Sequence, residues 1–443
     1  MGKQDLHEFL AALPGEEVLR LTGGHTDYLL TALVEELEKN HRFPVVELRD
    51  SAGRRTVANL FASRSRLAAA ISNVVRVQER ARALADPEVV AQAPAFGVCA
   101  LGEDADAMTL PLIRHYAQDA GHYISSGIVV ARDPETGRYN LSFHRMQRKD
   151  GHCFGVSLHS RGDLWRYYQA AQARGEDLEV AVVVGAHPAF YLTGATAVPH
   201  DFDDYAYASA YLDQPAQLAR CKTVDLLVPA WSEYVLEGRI LKDTFADEGP
   251  FGEYTGYGTS RSTRNVFHLT ALSHRVDPIW LELTPGWSME HLLLSQYTKE
   301  ILLLHQIRQA MPNVRALNLP KNGCHFHAYV SIDQPLPGQA KQLAMLLFGL
   351  DKYLKLVVAV DSDIDVFDEE RVWWACATRF QADRDLFQVN GVLCNALDPS
   401  SQGGVAAKLC LDATCPPGFE GKPISLPSEV RAQARDMLKG VLL

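Results

Sequence analysis

Four short stretches hold residue types that could do chemistry together. The first is Asp247-Glu248-Gly249-Pro250-Phe251-Gly252-Glu253-Tyr254-Thr255-Gly256-Tyr257-Gly258, where Glu248 and Glu253 flank a Gly-Pro-Phe-Gly turn. Paired carboxylates suit acid–base work, because each can raise the other's pKa and keep it protonated near neutrality. Glycines there would let the backbone pack closely on a ligand. The plain structural alternative is an acidic surface turn. The second stretch runs from Asp133 to Arg145. Asp133-Pro134-Glu135-Thr136-Gly137 reads as a hairpin turn, with Asn140 and Arg145 on the strand that follows. At that spacing they face opposite sides of a regular strand. A bulge or twist is needed to bring both to one site; otherwise Arg145 is a solvated surface residue. In the third, His159 closes an apolar strand, as a ligand or as a hydrogen-bonded structural histidine. In the fourth, Asp203 and Asp204 precede a helix, where either serves equally as its cap.

Other signatures are missing. Gly252, Gly256 and Gly258 lack the strand–GxGxxG–helix context of a dinucleotide site. There is no phosphate-binding GxxxxGK[ST], no HExxH and no GxSxG elbow.

The elements that must position these residues belong to a chain of 443 residues, too long for one ordinary core. Apolar residues make up 47% and charged residues 22%, as in globular proteins. A net charge of −11 argues against a nucleic-acid binder. Apolar runs are too short to span a bilayer. The N-terminus lacks a basic region followed by an apolar run, so a cytoplasmic protein is expected, with no membrane partner. None of the eight cysteines forms a CxxC pair, as expected of reduced thiols.

Residues 4–40 read as mostly helical, residues 43–48 as a strand and residues 63–86 as a helix, making 1–104 an N-terminal α/β domain. Short β-rich runs follow at 128–132, 140–146, 154–158, 180–184, 223–228, 265–273 and 278–283, with helices at 162–174 and 203–212. Residues 105–288 are therefore a mainly β domain, read as a barrel. Residues 289–311 form a long helix, which links to a C-terminal α/β domain at 312–443. There a strand, a helix and a strand occupy 328–332, 339–350 and 356–360. Residues 395–424, rich in Gly, Pro and Ser, read as loop. The fold class is α/β in the broad α+β sense.

Taken in order, these segments resemble the UbiD decarboxylase family. The resemblance is carried by Gly127-Ile128-Val129-Val130-Ala131-Arg132-Asp133-Pro134-Glu135-Thr136-Gly137, by Asn140 to Arg145 and by Leu158-His159-Ser160-Arg161-Gly162. It continues through Val184-Gly185-Ala186-His187-Pro188-Ala189, the run Val228 to Gly238, Glu248 to Tyr257, and Lys408 to Thr414. It covers roughly residues 105 to 415.

The resemblance implies a split-barrel flavin domain and a C-terminal domain that makes a homodimer or higher oligomer. It implies prenylated FMN, whose phosphate is held by a divalent metal, usually manganese, with potassium nearby. The family's Asn, His and Glu ligands fall on Asn140, His159 and Asp204. Asp204 stands where the family has Glu, and Asp203 is the alternative. Manganese suits such a mixed oxygen and nitrogen set. The family's catalytic Glu–Arg–Glu set falls on Glu248, Arg145 and Glu253, with Glu253 as proton donor. Leu141, Phe143, His144 and Leu158 fall in the matched cofactor segments, and Lys408 in the matched tail.

The activity so implied is reversible, non-oxidative decarboxylation of an aromatic, heteroaromatic or α,β-unsaturated acid, releasing CO2. A separate flavin prenyltransferase would supply the cofactor. The competing classes are an FMN-binding oxidoreductase of the flavin-reductase kind and a silent homologue serving as an assembly subunit. His325, His327, Trp373, Trp374 and Phe387 are pocket candidates, because rings and imidazoles can stack on or hydrogen-bond an aryl acid. Each could equally belong to the core or to a dimer interface.

Overall fold

The computed structural model describes residues 4–23, 26–158, 162–421, 424 and 426–438. His159 therefore lies outside the described residues. Helices and strands both contribute, in a mixed α/β architecture.

The N-terminal region is less helical than its apolar content predicts. Helices Leu6–Ala11 and Leu29–Lys39 are separated by the strand Val18–Thr22. Pro14 and Gly15 end the first helix, and Leu19 and Leu21 then alternate with the exposed Arg20 and Thr22, a period of two. This strand opens a four-stranded sheet in the order Val18–Thr22, Val45–Arg49, Arg55–Ala58, Ile279–Leu281. The single helix expected over 63–86 is two, Arg64–Ala70 and Val77–Ala83. Between them Asn73 turns left-handed (φ 57°), and the Ser72 amide donates to the Tyr211 carbonyl instead of along the helix.

The central sheet curls into a half-barrel. Its order is Tyr123–Ile124, Met146–Arg148, Cys153–Val156, Asn265–His274, Tyr234–Phe245, Leu178–Val184, Ile128–Arg132, Tyr139–Phe143, with Val98–Leu101 paired to Asn265–His274. Sheet membership thus crosses the divisions drawn from sequence, because Val98–Leu101 joins this sheet and Ile279–Leu281 the N-terminal one. The strand expected over 140–146 is broken. Tyr139–Phe143 pairs with Ile128–Arg132, whereas Met146–Arg148 pairs with Cys153–Val156. Of 223–228 only the end is strand, at Leu227–Pro229. The Lys222 and Thr223 amides donate to the buried Glu237 carboxylate rather than to a neighbouring strand.

The long helix Met289–Ala310 is capped by Ser288, whose hydroxyl accepts from the His291 amide. It leads to a five-stranded sheet ordered Val314–Asn318, His327–Ile332, Leu356–Asp361, Val405–Ala413, Leu386–Leu393. Val405–Ala413 corrects the loop expected over 395–424. It runs parallel to Leu356–Asp361, with Cys410 fully buried, so turn-forming residues border a strand rather than replace it. No helix among the described residues is long and apolar enough to cross a membrane.

The half-barrel's longest pairing, Tyr234–Phe245 with Asn265–His274, shifts register between Glu237 and Gly238. A β-carbon on Gly238 would stand 2.0 Å from the His268 carbonyl oxygen, so the shift requires glycine. Gly238→Ala is expected to lower stability by roughly 1–3 kcal/mol through overpacking, read from the denaturant midpoint. An unchanged midpoint would show that the two strands can separate freely.

Candidate active site

Arg145 lies in the break between Tyr139–Phe143 and Met146–Arg148, where no ladder fixes side-chain alternation. That break removes the strand alternation expected between Asn140 and Arg145; Arg145 lines the cavity, whereas Asn140 and Asp204 are not in its lining. The Arg145 guanidinium donates through Nε and Nη2 to both oxygens of Glu248 (2.8 and 3.0 Å) and through Nη1 to Glu253 Oε1 (2.8 Å). Nη2 also reaches the Arg261 carbonyl at 3.0 Å. The turn carrying the two glutamates is tied down by buried Asp119. That carboxylate accepts from the Gly252 amide (3.0 Å) and from the His115 and Tyr116 amides. Gly249 has φ +89°, and a β-carbon there would press on Arg145 Nη2 at 3.2 Å. The turn's glycine therefore allows the guanidinium its close approach.

Glu248 is completely buried and doubly bonded, whereas the Glu253 side chain keeps 18% of its surface and faces a cavity. One cation serves two carboxylates, so the set favours holding a proton. Burial raises the Glu253 pKa; Arg145 opposes this and the Glu248 charge adds to it, leaving it raised. Burial also works against the Arg145 charge, but Glu248 and Glu253 outweigh it. The arrangement can present a protonated carboxyl at the cavity and restore it after transfer.

A second corner joins Asn140 to Asp204. Asp204 Oδ2 accepts from the Leu141 amide (2.7 Å) and from Asn140 Nδ2 (3.3 Å). The Ser142 hydroxyl donates to Asn140 Oδ1. Burial lifts the Asp204 carboxyl well above the ordinary range, and among the described residues no ion pair reaches it. Asp203 is committed elsewhere. Its two oxygens accept from the Tyr205 and Tyr139 amides, making it the cap of the helix Asp204–Leu212.

The cavity, about 960 Å3, lies between the half-barrel, the long helix and the C-terminal sheet region. Phe143, His144, Arg145, Leu158, Phe251 and Glu253 line it from the half-barrel, and His144 Nδ1 donates to the Ser157 carbonyl at 3.0 Å. Leu141 does not line it; its side chain is buried and its amide serves Asp204. His325 is in the lining, whereas His327, Trp373, Trp374 and Phe387 are not. Trp374 and Phe387 instead pack on the C-terminal cores. Lys408 is also absent from the lining. It is fully buried over Phe348, and its ammonium donates to the Lys352 carbonyl at 3.2 Å. It supports the wall segment Gly349–Tyr353 rather than touching what the cavity holds.

The sequence reading missed Ser125, Tyr254, His291, Ser295 and Lys299 in the lining. His291, Ser295 and Lys299 recur every fourth residue on the long helix, one face of it. That polar stripe among leucines was the available signal.

The family model for the 3-octaprenyl-4-hydroxybenzoate carboxy-lyase Rift-related domain, UbiD, matches residues 88–288, and that for the corresponding C-terminal domain matches 293–413. The anhydromevalonate phosphate decarboxylase of Methanothermobacter thermautotrophicus is 37% identical over 314 residues, 70% of this chain and 74% of its own. The UbiD-class enzyme HmfF from Pelotomaculum thermopropionicum, solved with FMN, superposes with a TM-score of 0.90 at 35% identity, covering 97% of this chain and 99% of that one. An evolved dimeric form of HmfF, solved with prFMN, gives 0.87 at 33% identity over 98% and 100%. The vanillic acid decarboxylase of Sedimentibacter hydroxybenzoicus gives 0.83 at 27% over 99% and 100%.

The ion-pair geometry generates a stability test. Arg145→Ala leaves Glu248 buried without its cation and is expected to cost about 3–5 kcal/mol in guanidinium unfolding. Adding Glu248→Gln should recover a large part of the loss, whereas strictly additive losses would mean that the two side chains do not depend on each other.

Proposed function

Because the chain belongs to the UbiD family of carboxy-lyases, we propose that it decarboxylates, reversibly and without net redox change, an aromatic, heteroaromatic or α,β-unsaturated acid, using prenylated FMN held through a divalent metal. The observation that carries this reading is the Glu248–Arg145–Glu253 set, with its one partly open carboxyl turned to a cavity lined by aromatic rings. A plain flavin reductase would need no such proton-holding group.

The residues fit the cofactor. Asp204 is a buried carboxylate with an amide beside it and, among the described residues, no cation, so a metal there would offset an otherwise unfavourable charge. Asn140, His159 and Asp204 would hold that metal, manganese by the family's habit, against the flavin phosphate. Asp203 is spent on backbone amides and is not the alternative ligand. Bound prenylated FMN would supply the electron sink for breaking the carbon–carbon bond.

The chain's own residues do the rest. Glu253 gives its proton to the carbon that loses CO2, so a C–C bond is exchanged for a C–H bond. In the reverse direction the carboxylate takes that proton back. Arg145 orients Glu253, and Glu248 fixes Arg145 from its buried side. Phe143, Phe251, Tyr254 and Tyr353 supply ring faces for a flat acid. Leu386, Leu393 and Val405, exposed on the outermost strand pair of the C-terminal sheet, support self-association through that face.

The first experiment is mass spectrometry of the ligand released from protein co-expressed with a flavin prenyltransferase, with bound manganese and potassium measured alongside. A prenylated FMN mass is expected; NADPH oxidation with plain FMN and no CO2 release would instead mark a reductase. Glu253→Gln should abolish CO2 release while the cofactor stays bound, and full activity would remove Glu253 as donor. In the wild type, turnover should fall as pH rises through the raised Glu253 pKa, because the protonated form is then lost. Asn140→Ala should lose manganese and flavin together; stoichiometric flavin in that variant would overturn the metal assignment.

A further inference from the structure

Two residues of the cavity wall, His325 and Tyr254, each hold a buried polar atom with no hydrogen-bond partner among the described residues. His325 follows the short turn Lys321–Gly323, and both Cys324 (φ 47°) and His325 (φ 66°) are left-handed. Two consecutive non-glycine residues in that region are unfavourable unless their surroundings hold them. The His325 imidazole is buried and forms part of the cavity lining. It meets the ring of Tyr254, the neighbour of Glu253, edge-on at 4.8 Å.

Its protonation can be deduced. Nε2 lies 3.1 Å from Ser295 Oγ, and the Ser295 hydroxyl donates within its own helix to the Leu292 carbonyl at 3.1 Å. With its hydrogen so engaged, Ser295 Oγ accepts, and the His325 proton sits on Nε2. Burial, then Lys299 and His291, hold the ring neutral. Nδ1 is therefore a bare acceptor, with no hydrogen-bond partner among the described residues. The Tyr254 hydroxyl also has no partner among the described residues, so the two do not bond each other. A buried acceptor left unmatched is costly, which favours a ligand that brings a donor to it.

Resting on the decarboxylase reading above, we propose that His325 is a specificity residue whose Nδ1 accepts a hydrogen bond from the substrate, so that the preferred acids carry a ring N–H or O–H. A site built around such a bond rejects an isosteric ligand that lacks the donor more strongly than an apolar pocket rejects a misfit.

The test compares matched acids on the prenylated-FMN holoenzyme: pyrrole-2-carboxylic acid, with a ring N–H, against furan-2-carboxylic acid, with a ring oxygen. The wild type should favour the pyrrole acid by about tenfold or more in kcat/KM. The same preference should appear in dissociation constants measured by calorimetry on Glu253→Gln holoenzyme, where turnover plays no part. His325→Leu should bring both ratios near one. His325→Asn, which tolerates the left-handed backbone and can offer an oxygen near the place of Nδ1, should keep most of the preference. Ser295→Ala, which frees the tautomer, should reduce it. The proposal is overturned if the wild type shows no preference for the donor acid in either ratio, or if the preference survives His325→Leu. Should that variant not fold, a preference unmoved by Ser295→Ala overturns it. Absence of CO2 release from every acid would sink the decarboxylase reading, while the binding ratios still decide the role of His325.

Discussion

A single buried guanidinium shared by two carboxylates governs how the site is built. Arg145 cannot fully neutralise both Glu248 and Glu253, so the cluster retains either a negative charge or a proton. Burial of Glu248 decides which partner takes the strong two-point bond, and partial exposure of Glu253 decides which can exchange with the cavity. The surrounding structure serves that division. The strand break frees Arg145 from ladder geometry, Asp119 gathers three amides to fix the turn, and Gly249 leaves room for the guanidinium. Charge imbalance of this kind is concentrated at functional sites.

The cavity extends this from a residue to a surface. On a chain with net charge −11, its lining sets Arg145, Arg261, Lys299 and Lys352 beside the carboxylates of Glu253 and Asp351, which pair with Arg145 and Lys299. Arg261 and Lys352, which no ion pair among the described residues engages, can still attract an anionic acid despite the overall charge. The walls come from three distant parts of the sequence. The half-barrel brings the acid–base set, the long helix a stripe of polar residues, and the C-terminal region a segment held from behind by Lys408.

Much of the Glu248–Arg145–Glu253 corner was legible in sequence, because its motifs are contiguous and carry backbone requirements that few residues meet. Glu248, Glu253 and their glycines lie within one turn. The Asn140–Arg145 spacing was legible as a contradiction for a single strand, and the fold shows one strand stopping and another beginning between them. The different partners of Asp203 and Asp204 were not legible, because spacing does not contain the bonds of each oxygen. The burial of Lys408 behind the wall was not legible, because a motif marks a place in the chain and not the direction of a side chain. Strands such as Val18–Thr22 and Val405–Ala413 were missed because neighbouring helical or turn-forming residues dominated the local pattern, while long-range pairing determined the outcome.

That long-range pairing has a further consequence at the N-terminal sheet. Its edge strand Ile279–Leu281 pairs in parallel with Arg55–Val57, so Trp280 meets Thr56 across more than two hundred intervening residues. During synthesis the first three strands emerge long before the fourth, and their exposed edge must wait while the half-barrel is made. The N-terminal region is thus sealed by a strand delivered from the far end of the flavin-type half-barrel. Its completion reports that the intervening chain has already found its place, a high-contact-order closure that ties the two regions into one cooperative unit.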